Sequence, residues 1–207
     1  MVKTDMQEDR RTVLEWYDFL CPFCYVGQSR TAILVRHGLR VVEMPFQAHP
    51  DIPPGGIPAG PRKGPMYEMI EREAKQAGLP LNWPPRLPDT RLALAAAEWV
   101  RRHEPRAFPL FHRKLFEAHL VLGEDLEDAL IIGRYASEVG VDLGSLHAAL
   151  NDGSAATAVR ESEILARKNG VQGTPTWLLT HRLIVGLQPA AEFEHLAEYA
   201  VDLPRQE

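Results

Sequence analysis

Cys21-Pro22-Phe23-Cys24 contains the only two cysteines of the chain, and the chemistry this spacing permits is thiol–disulfide exchange. An apolar segment, Thr12 to Tyr17, precedes the pair, and a helical pattern begins at Tyr25. Cys21 is thereby placed at the start of a helix. Unpaired N–H groups and the positive end of the helix dipole stabilise an anion there, so a thiol loses its proton more readily. Cys21 is the expected thiolate. Cys24, three residues on and almost one turn below, can reach Cys21 but faces the protein, which is the position of a resolving thiol. The same tetrapeptide also fits half of a zinc site, but no second CxxC and no HExxH occurs, so a complete metal site within this chain is not expected.

The composition narrows the function classes. A chain of 207 residues with 45% hydrophobic and 25% charged residues can bury a substantial core without cross-links. The net charge of -5, with no basic run and no basic-aromatic stripe, argues against nucleic acid and against an anionic membrane surface as partners. Residues 1–11 are polar and lack the apolar stretch of a secretory signal, and no run of 18 apolar residues exists, so a cytoplasmic address is expected. In that compartment a close cysteine pair is more often catalytic, redox-sensing or metal-binding than a structural staple.

The elements that must position the cysteines follow from periodicity and punctuation. Thr12 to Tyr17 is β-prone and reads as a central strand. Glu15 is its odd member, and the pattern alone makes it a strand-end residue facing solvent. Tyr25 to His37 reads as a helix stopped by Gly38, and Leu39 to Phe46 as a second strand, giving a parallel strand–helix–strand unit. Pro50 to Pro65, with six prolines and four glycines, excludes a regular element and reads as a linker, with a flap beside the cysteines as the functional alternative. From Met66 to Asn169 the pattern is helical, broken by a second proline-rich connector from Pro80 to Pro88; Asp89 or Thr90 can cap the helix that follows it, and Asp142 another. His112 and His119, two turns apart, are the histidine pair of interest. Val171 to Leu179 returns to strand composition, Leu183 to Val185 completes a hairpin, and Pro189 opens a last helix, Ala190 to Val201. Pro175, just ahead of a β-prone run, is either the first residue of an edge strand or a cis bond at a tight turn.

In this order the chain resembles the DsbA-like branch of the thioredoxin superfamily. The resemblance rests on Tyr17-Asp18-Phe19-Leu20-Cys21-Pro22-Phe23-Cys24-Tyr25-Val26-Gly27, on Pro88-Asp89-Thr90, and on the Gly-x-x-Gly-x-Pro of Gly170 to Pro175. The first stretch is most similar to FrnE-type members, with Phe23 in place of their usual Trp. The implied fold is α/β and thioredoxin-like: a central mixed sheet in βαβ…ββα order, interrupted by an inserted α-helical subdomain. Residues 12–62 and 170–203 would form the thioredoxin-like domain, residues 63–169 the insertion, and residues 1–11 a tail. The resemblance implies Cys21 as nucleophile, Cys24 as resolving thiol, and Pro22 and Phe23 as residues that tune them. It makes Pro175 the cis-proline facing the site and Thr174 the residue whose backbone pairs with an extended substrate. It also reverses the reading of Glu15, which becomes a buried acid that relays protons to the inner thiol.

The implied activity is oxidation, reduction or isomerisation of disulfides in proteins or peptides, through a mixed disulfide at Cys21. No cofactor is required beyond the redox-active disulfide, with glutathione a candidate co-substrate. Pro22 and Phe23 include no histidine, so an intermediate potential is expected. Two alternatives remain: a glutathione-dependent isomerase or transferase of the kappa and 2-hydroxychromene-2-carboxylate isomerase type, which does not need a second thiol, and a non-catalytic peptide- or metal-binding module. Substrate, electron partner and oligomeric state are not encoded in any motif.

Overall fold

The computed structural model describes residues 11–202. The expected polar tail, apart from Arg11, and residue 203 lie outside the described residues. Strand β1 (Thr12–Tyr17) leads through a four-residue turn into helix α1 (Pro22–Arg36) and strand β2 (Arg40–Pro45). β1 pairs with β2 in parallel and with β5 (Thr176–Leu179) antiparallel; β5 forms a hairpin with β6 (Arg182–Val185). The sheet order is β2-β1-β5-β6, a mixed sheet whose most central strand carries the cysteine turn at its end.

Alternation along β1 assigns its two faces. Val13 meets Ile33 and Leu34 of α1, Trp177, and Phe193, Leu196 and Ala197 of the last helix, α8 (Ala190–Asp202). Leu14 and Trp16 point the other way, against Val42, Met44, Leu178 and Ala166 of helix α7 (Ser154–Lys168). Each large side chain fully buried in these layers stabilises the fold by about 1.5–3 kcal/mol. Ser162 of α7 donates to the carbonyl of Pro45 at 2.7 Å, giving the end of an edge strand a buried partner.

Between β2 and α7 run helices α2 (Pro65–Gln76), α3 (Arg91–His103), α4 (Phe108–Leu120), α5 (Ala129–Glu138) and α6 (Leu143–Asn151). Helices α3 to α6 share a core that includes Leu94, Val100, Phe111, Leu115 and Phe116 and continues without a break to Tyr17, Phe19, Cys24 and Tyr25, whereas Ile70 and Ala74 of α2 pack with Val26 of α1. The helical segment is thus packed directly onto the cysteine turn. Arg30 of α1 fastens α2 to this unit, with a 2.6 Å ion pair to Glu73 and a 3.1 Å bond to the carbonyl of Gln188.

Several expectations are corrected. Helix α1 starts at Pro22 rather than Tyr25, because proline at its first position fits the helix and Cys21 serves as the N-cap. The proline-rich connectors are not free of regular structure: strands β3 (Ile57–Pro58) and β4 (Arg86–Leu87) pair antiparallel, so the segment from Met66 to Asn169 is not purely helical. Prolines suit this ribbon because they leave few backbone donors to satisfy. The strand expected from Val171 begins only at Thr176, after the turn that holds Pro175. Thr90 occupies the N-cap of α3 without a side-chain bond to the helix, and Asp89 instead accepts from the N–H of Arg91 at 3.0 Å. Asp142 caps α6 as expected, accepting from Gly144.

Gly27 of α1 is required by packing rather than by backbone conformation. A Cβ there would lie 3.1 Å and 3.3 Å from ring carbons of Trp177, which is fully buried and held edge-on by Phe193. Gly27→Ala should therefore lower the unfolding free energy by about 1 kcal/mol or more in urea denaturation, although alanine is ~1 kcal/mol better than glycine in a helix. A variant more stable than the parent would show that Trp177 is free to shift.

Candidate active site

Cys21 sits where three backbone segments meet. Its N–H donates to the carbonyl of Asp18 at 3.0 Å, which closes the turn after β1. Its own carbonyl receives the N–H groups of Cys24 at 3.0 Å and Tyr25 at 3.2 Å, the first bonds of α1. Its thiol donates to the carbonyl of Thr174 at 3.4 Å. The bond from Thr174 to Pro175 is cis, and the carbonyl of Pro175 accepts from Gly186 at 2.8 Å. The Thr174 N–H makes no hydrogen bond among the described residues. Cys21 is partly exposed and Cys24 is buried, and both are free thiols.

The two sulfurs differ in acidity because they differ in surroundings. Burial alone would push the Cys21 thiol up, but hydrogen bonding from the Cys24 thiol, the influence of the Thr174 side chain and the backbone N–H of Cys24 outweigh it and hold Cys21 below the ordinary thiol value. The Thr174 hydroxyl is buried and lies within electrostatic reach of both sulfurs without meeting the geometry of a full hydrogen bond to either. Cys24 moves the opposite way, well up, through burial and the adjacent Cys21 sulfur. Cys21 is thus the more acidic and more exposed of the two thiols, and Cys24 the less acidic and buried one.

Asp18 is a member of this site that the sequence reading passed over. Its side chain is fully buried and accepts from Leu20 at 3.2 Å and from Ala48 at 2.8 Å, tying the cysteine turn to the chain leaving β2. Burial raises its pKa against these bonds, and its charge in turn opposes ionisation of Cys21. The available signal was a lone carboxylate in the otherwise apolar run Trp16 to Leu20.

Glu15 is buried, 3% exposed, which overturns the pattern-only reading of a solvent-facing residue. The reason is that β1 is covered on both faces. Thr31 donates to Glu15 Oε2 in a short bond, and Trp177 Nε1 donates to Thr31 Oγ1 at 3.1 Å. Its partner thus lies about two turns along α1 from Cys24, and no hydrogen bond joins Glu15 to either sulfur among the described residues. Burial, and then the charge of Glu43, raise its pKa to about 8. Pro22 and Phe23 are partly exposed, and Phe23 packs beside Val26 and Ile70 of α2 together with Met69 and Trp83.

His112 and His119 do not form a pair. His112 packs against Tyr17, with ring centroids 4.3 Å apart, while His119 lines a small cavity under the connectors with Arg86 and Glu127. Burial depresses them to about 3 and about 4 respectively. Among the described residues no three His, Cys, Asp or Glu side chains are grouped as a metal site requires, and no helix is long and apolar enough to cross a membrane.

Cys24→Ala, which removes a hydrogen-bond donor to the Cys21 sulfur, should raise the pH at which Cys21 ionises, followed by thiolate absorbance; an unchanged titration would remove Cys24 as its stabiliser. Glu15 keeps its proton in the folded state up to about pH 8 but releases it near 4.5 when unfolded, so the folded state binds more protons in between and stability falls as pH rises. His112 and His119 act in the opposite sense below pH 6.5, their ordinary value, and Glu43, raised to about 7, acts in the same sense as Glu15, so from pH 6.5 to 8 the carboxyls alone set the slope. With both cysteines replaced by serine, stability should fall across that window by up to about 2 kcal/mol, and Glu15→Gln should flatten the slope. A parent protein whose stability rises there would contradict a protonated Glu15.

The comparisons agree with this geometry. Uncharacterized protein YwbO of Bacillus subtilis (strain 168) is 26% identical over 187 residues, covering 86% of this chain and 90% of its own length. The probable DsbA oxidoreductase SCO1869 from Streptomyces coelicolor shares the fold with a TM-score of 0.75 at 22% identity, over 95% of this chain and 92% of that one. A 2-hydroxychromene-2-carboxylate isomerase matches with a TM-score of 0.71 at 20% identity, over 91% of this chain and 93% of its own. The sequence profile of the DSBA-like thioredoxin domain matches residues 12–198. With β1, the cysteine turn, the helical insertion and the cis-proline hairpin all inside that span, the chain belongs to the DsbA-like thioredoxin-domain family.

Proposed function

We propose that this protein is a dithiol–disulfide oxidoreductase acting on protein or peptide thiols, with Cys21 as nucleophile and Cys24 as resolving thiol. The observation that carries the reading is the inequality of the two sulfurs: a partly exposed thiol of lowered pKa at a helix N-terminus, one turn above a buried thiol of raised pKa. In reduction, the Cys21 thiolate attacks a substrate disulfide, forming a mixed disulfide and releasing one substrate sulfur as thiolate. Cys24 then loses its proton and attacks the Cys21 sulfur, so the second substrate sulfur leaves and two electrons have passed to the substrate. Oxidation runs through the same intermediates in reverse.

The substrate chain has a place to lie. The carbonyl of Thr174 faces Cys21 and the Thr174 N–H has no intramolecular partner, a donor and acceptor an extended peptide can pair with by strand addition. Potential follows from thiolate stabilisation. Pro22 and Phe23 bring no positive charge, and buried Asp18 opposes ionisation of Cys21, so the couple should lie between about −270 mV for thioredoxin and about −120 mV for DsbA.

The alternative is a glutathione-dependent isomerase or transferase, and Cys24 separates the two readings. Catalysed reduction of insulin by dithiothreitol should be seen for the wild type and lost with Cys21→Ser and with Cys24→Ser. Full activity in Cys24→Ser would favour the glutathione-dependent reading. No activity in the wild type would count against the oxidoreductase and favour a binding module.

A further inference from the structure

The parallel pairing of β1 with β2 sets Glu15 directly opposite Glu43. Paired residues of neighbouring strands point to the same face, with backbones only about 4.8 Å apart. Like charges in that arrangement repel, and nothing nearby removes the repulsion. No Lys or Arg makes an ion pair with either carboxylate among the described residues. Arg101 of α3, the cation whose charge reaches Glu43, is committed to Glu98 through two bonds of 2.7 Å. His112 of α4 places Nδ1 3.9 Å from Glu43 Oε1, but burial keeps its ring neutral. Tyr17 also faces this region from β1, and its hydroxyl is buried without a partner, as is His112 Nε2.

The two carboxyls differ in access. Glu15 is sealed under α1 with the Thr31 hydroxyl donating to it, whereas the side chain of Glu43 is 23% exposed. We propose that Glu15 and Glu43 form a dyad that holds one proton between them, with Glu43 the member that exchanges with solvent and Glu15 the member whose charge is felt by the dithiol helix. Glu43 is a positioning residue acting through Glu15. When the dyad loses its shared proton, a second negative charge appears beneath α1, and ionisation of the cysteines above becomes harder. The part concerning the dithiol rests on the reading of Cys21 and Cys24 as a redox pair; the sharing of the proton does not. Burial raises Glu43 to about 7, which is consistent with a pair that changes charge near neutrality.

The test follows the side-chain carboxyl carbons by NMR across pH in the wild type, Glu43→Gln and Glu15→Gln. The wild-type pair should release its shared proton in the neutral range. In Glu43→Gln, Glu15 should titrate at lower pH, its proton affinity reduced by about twofold or more, while burial still holds it above an ordinary carboxyl. Coupling between two titrating groups is reciprocal, so Glu15→Gln should lower the titration of Glu43 by the same factor. Either variant suffices if the other does not fold. Carboxyls that titrate independently in both would overturn the dyad. A second arm records the pH profile of Cys21 alkylation, where the wild type should show an inflection from the dyad that Glu43→Gln shifts to lower pH. A profile identical in the two proteins would overturn the link to the dithiol. Insulin reduction by the wild type, run alongside, reports on the redox reading separately, because its failure leaves the carboxyl titrations unaffected.

Discussion

The site depends on the contact between the first turns of α1 and the start of β5. Three successive levels of the helix engage the same short segment. At the top, Cys21 meets the carbonyl of Thr174. Below it, Gly27 lets the Trp177 ring approach as closely as a backbone without a side chain permits, with Pro175 alongside. Below that, the Trp177 N–H reaches Thr31, which in turn donates to Glu15. Any tilt of α1 against β5 would change all three together, so one packing contact sets the distance from thiol to carbonyl, the shielding of Cys24 and the placement of the buried acid.

The electrostatics of this region are unusual in their sign. Stabilising a thiolate calls for positive charge, yet Asp18 and Glu15 are buried beside α1 and its turn with Glu43 half-buried next to them, while the buried cation of α1, Arg30, is paired with Glu73. Two are held by hydrogen bonds rather than by cations: Asp18 by backbone N–H groups and Glu15 by Thr31. What favours the Cys21 thiolate is therefore local and dipolar, from the Cys24 thiol and N–H and the Thr174 side chain at the N-terminus of α1. A thiolate stabilised by dipoles against nearby carboxyls is a moderate one, in keeping with the middle potential proposed for the couple.

How much was legible in the sequence follows from the range over which each feature is determined. The cysteine pair, β1, the two Asp-capped or Gly-stopped helices and the Thr-Pro turn are written in neighbouring residues, and the structure has them within a few positions. The start of α1 lies three residues before the point where the apolar pattern begins, because Pro22 fits the first position of a helix without contributing to the periodicity. The β3–β4 ribbon joins segments some thirty residues apart, and two-residue strands leave no periodicity to detect. The burial of Glu15 is a tertiary fact: a carboxylate in a strand reads as exposed until both faces of that strand are known to be covered. Asp18 was missed for a related reason, since its partner Ala48 is brought beside it only by the crossover through α1.

The central claim is that Cys21 and Cys24 act as one two-electron couple. The most direct measurement is equilibration of the purified protein over a series of reduced and oxidised glutathione ratios, followed by acid quenching and mass analysis of the cysteines. The account predicts a single transition in which both thiols disappear together into an intramolecular disulfide, with glutathione adducts only at trace levels. A stable glutathione adduct on Cys21 with Cys24 still free across the series would contradict it.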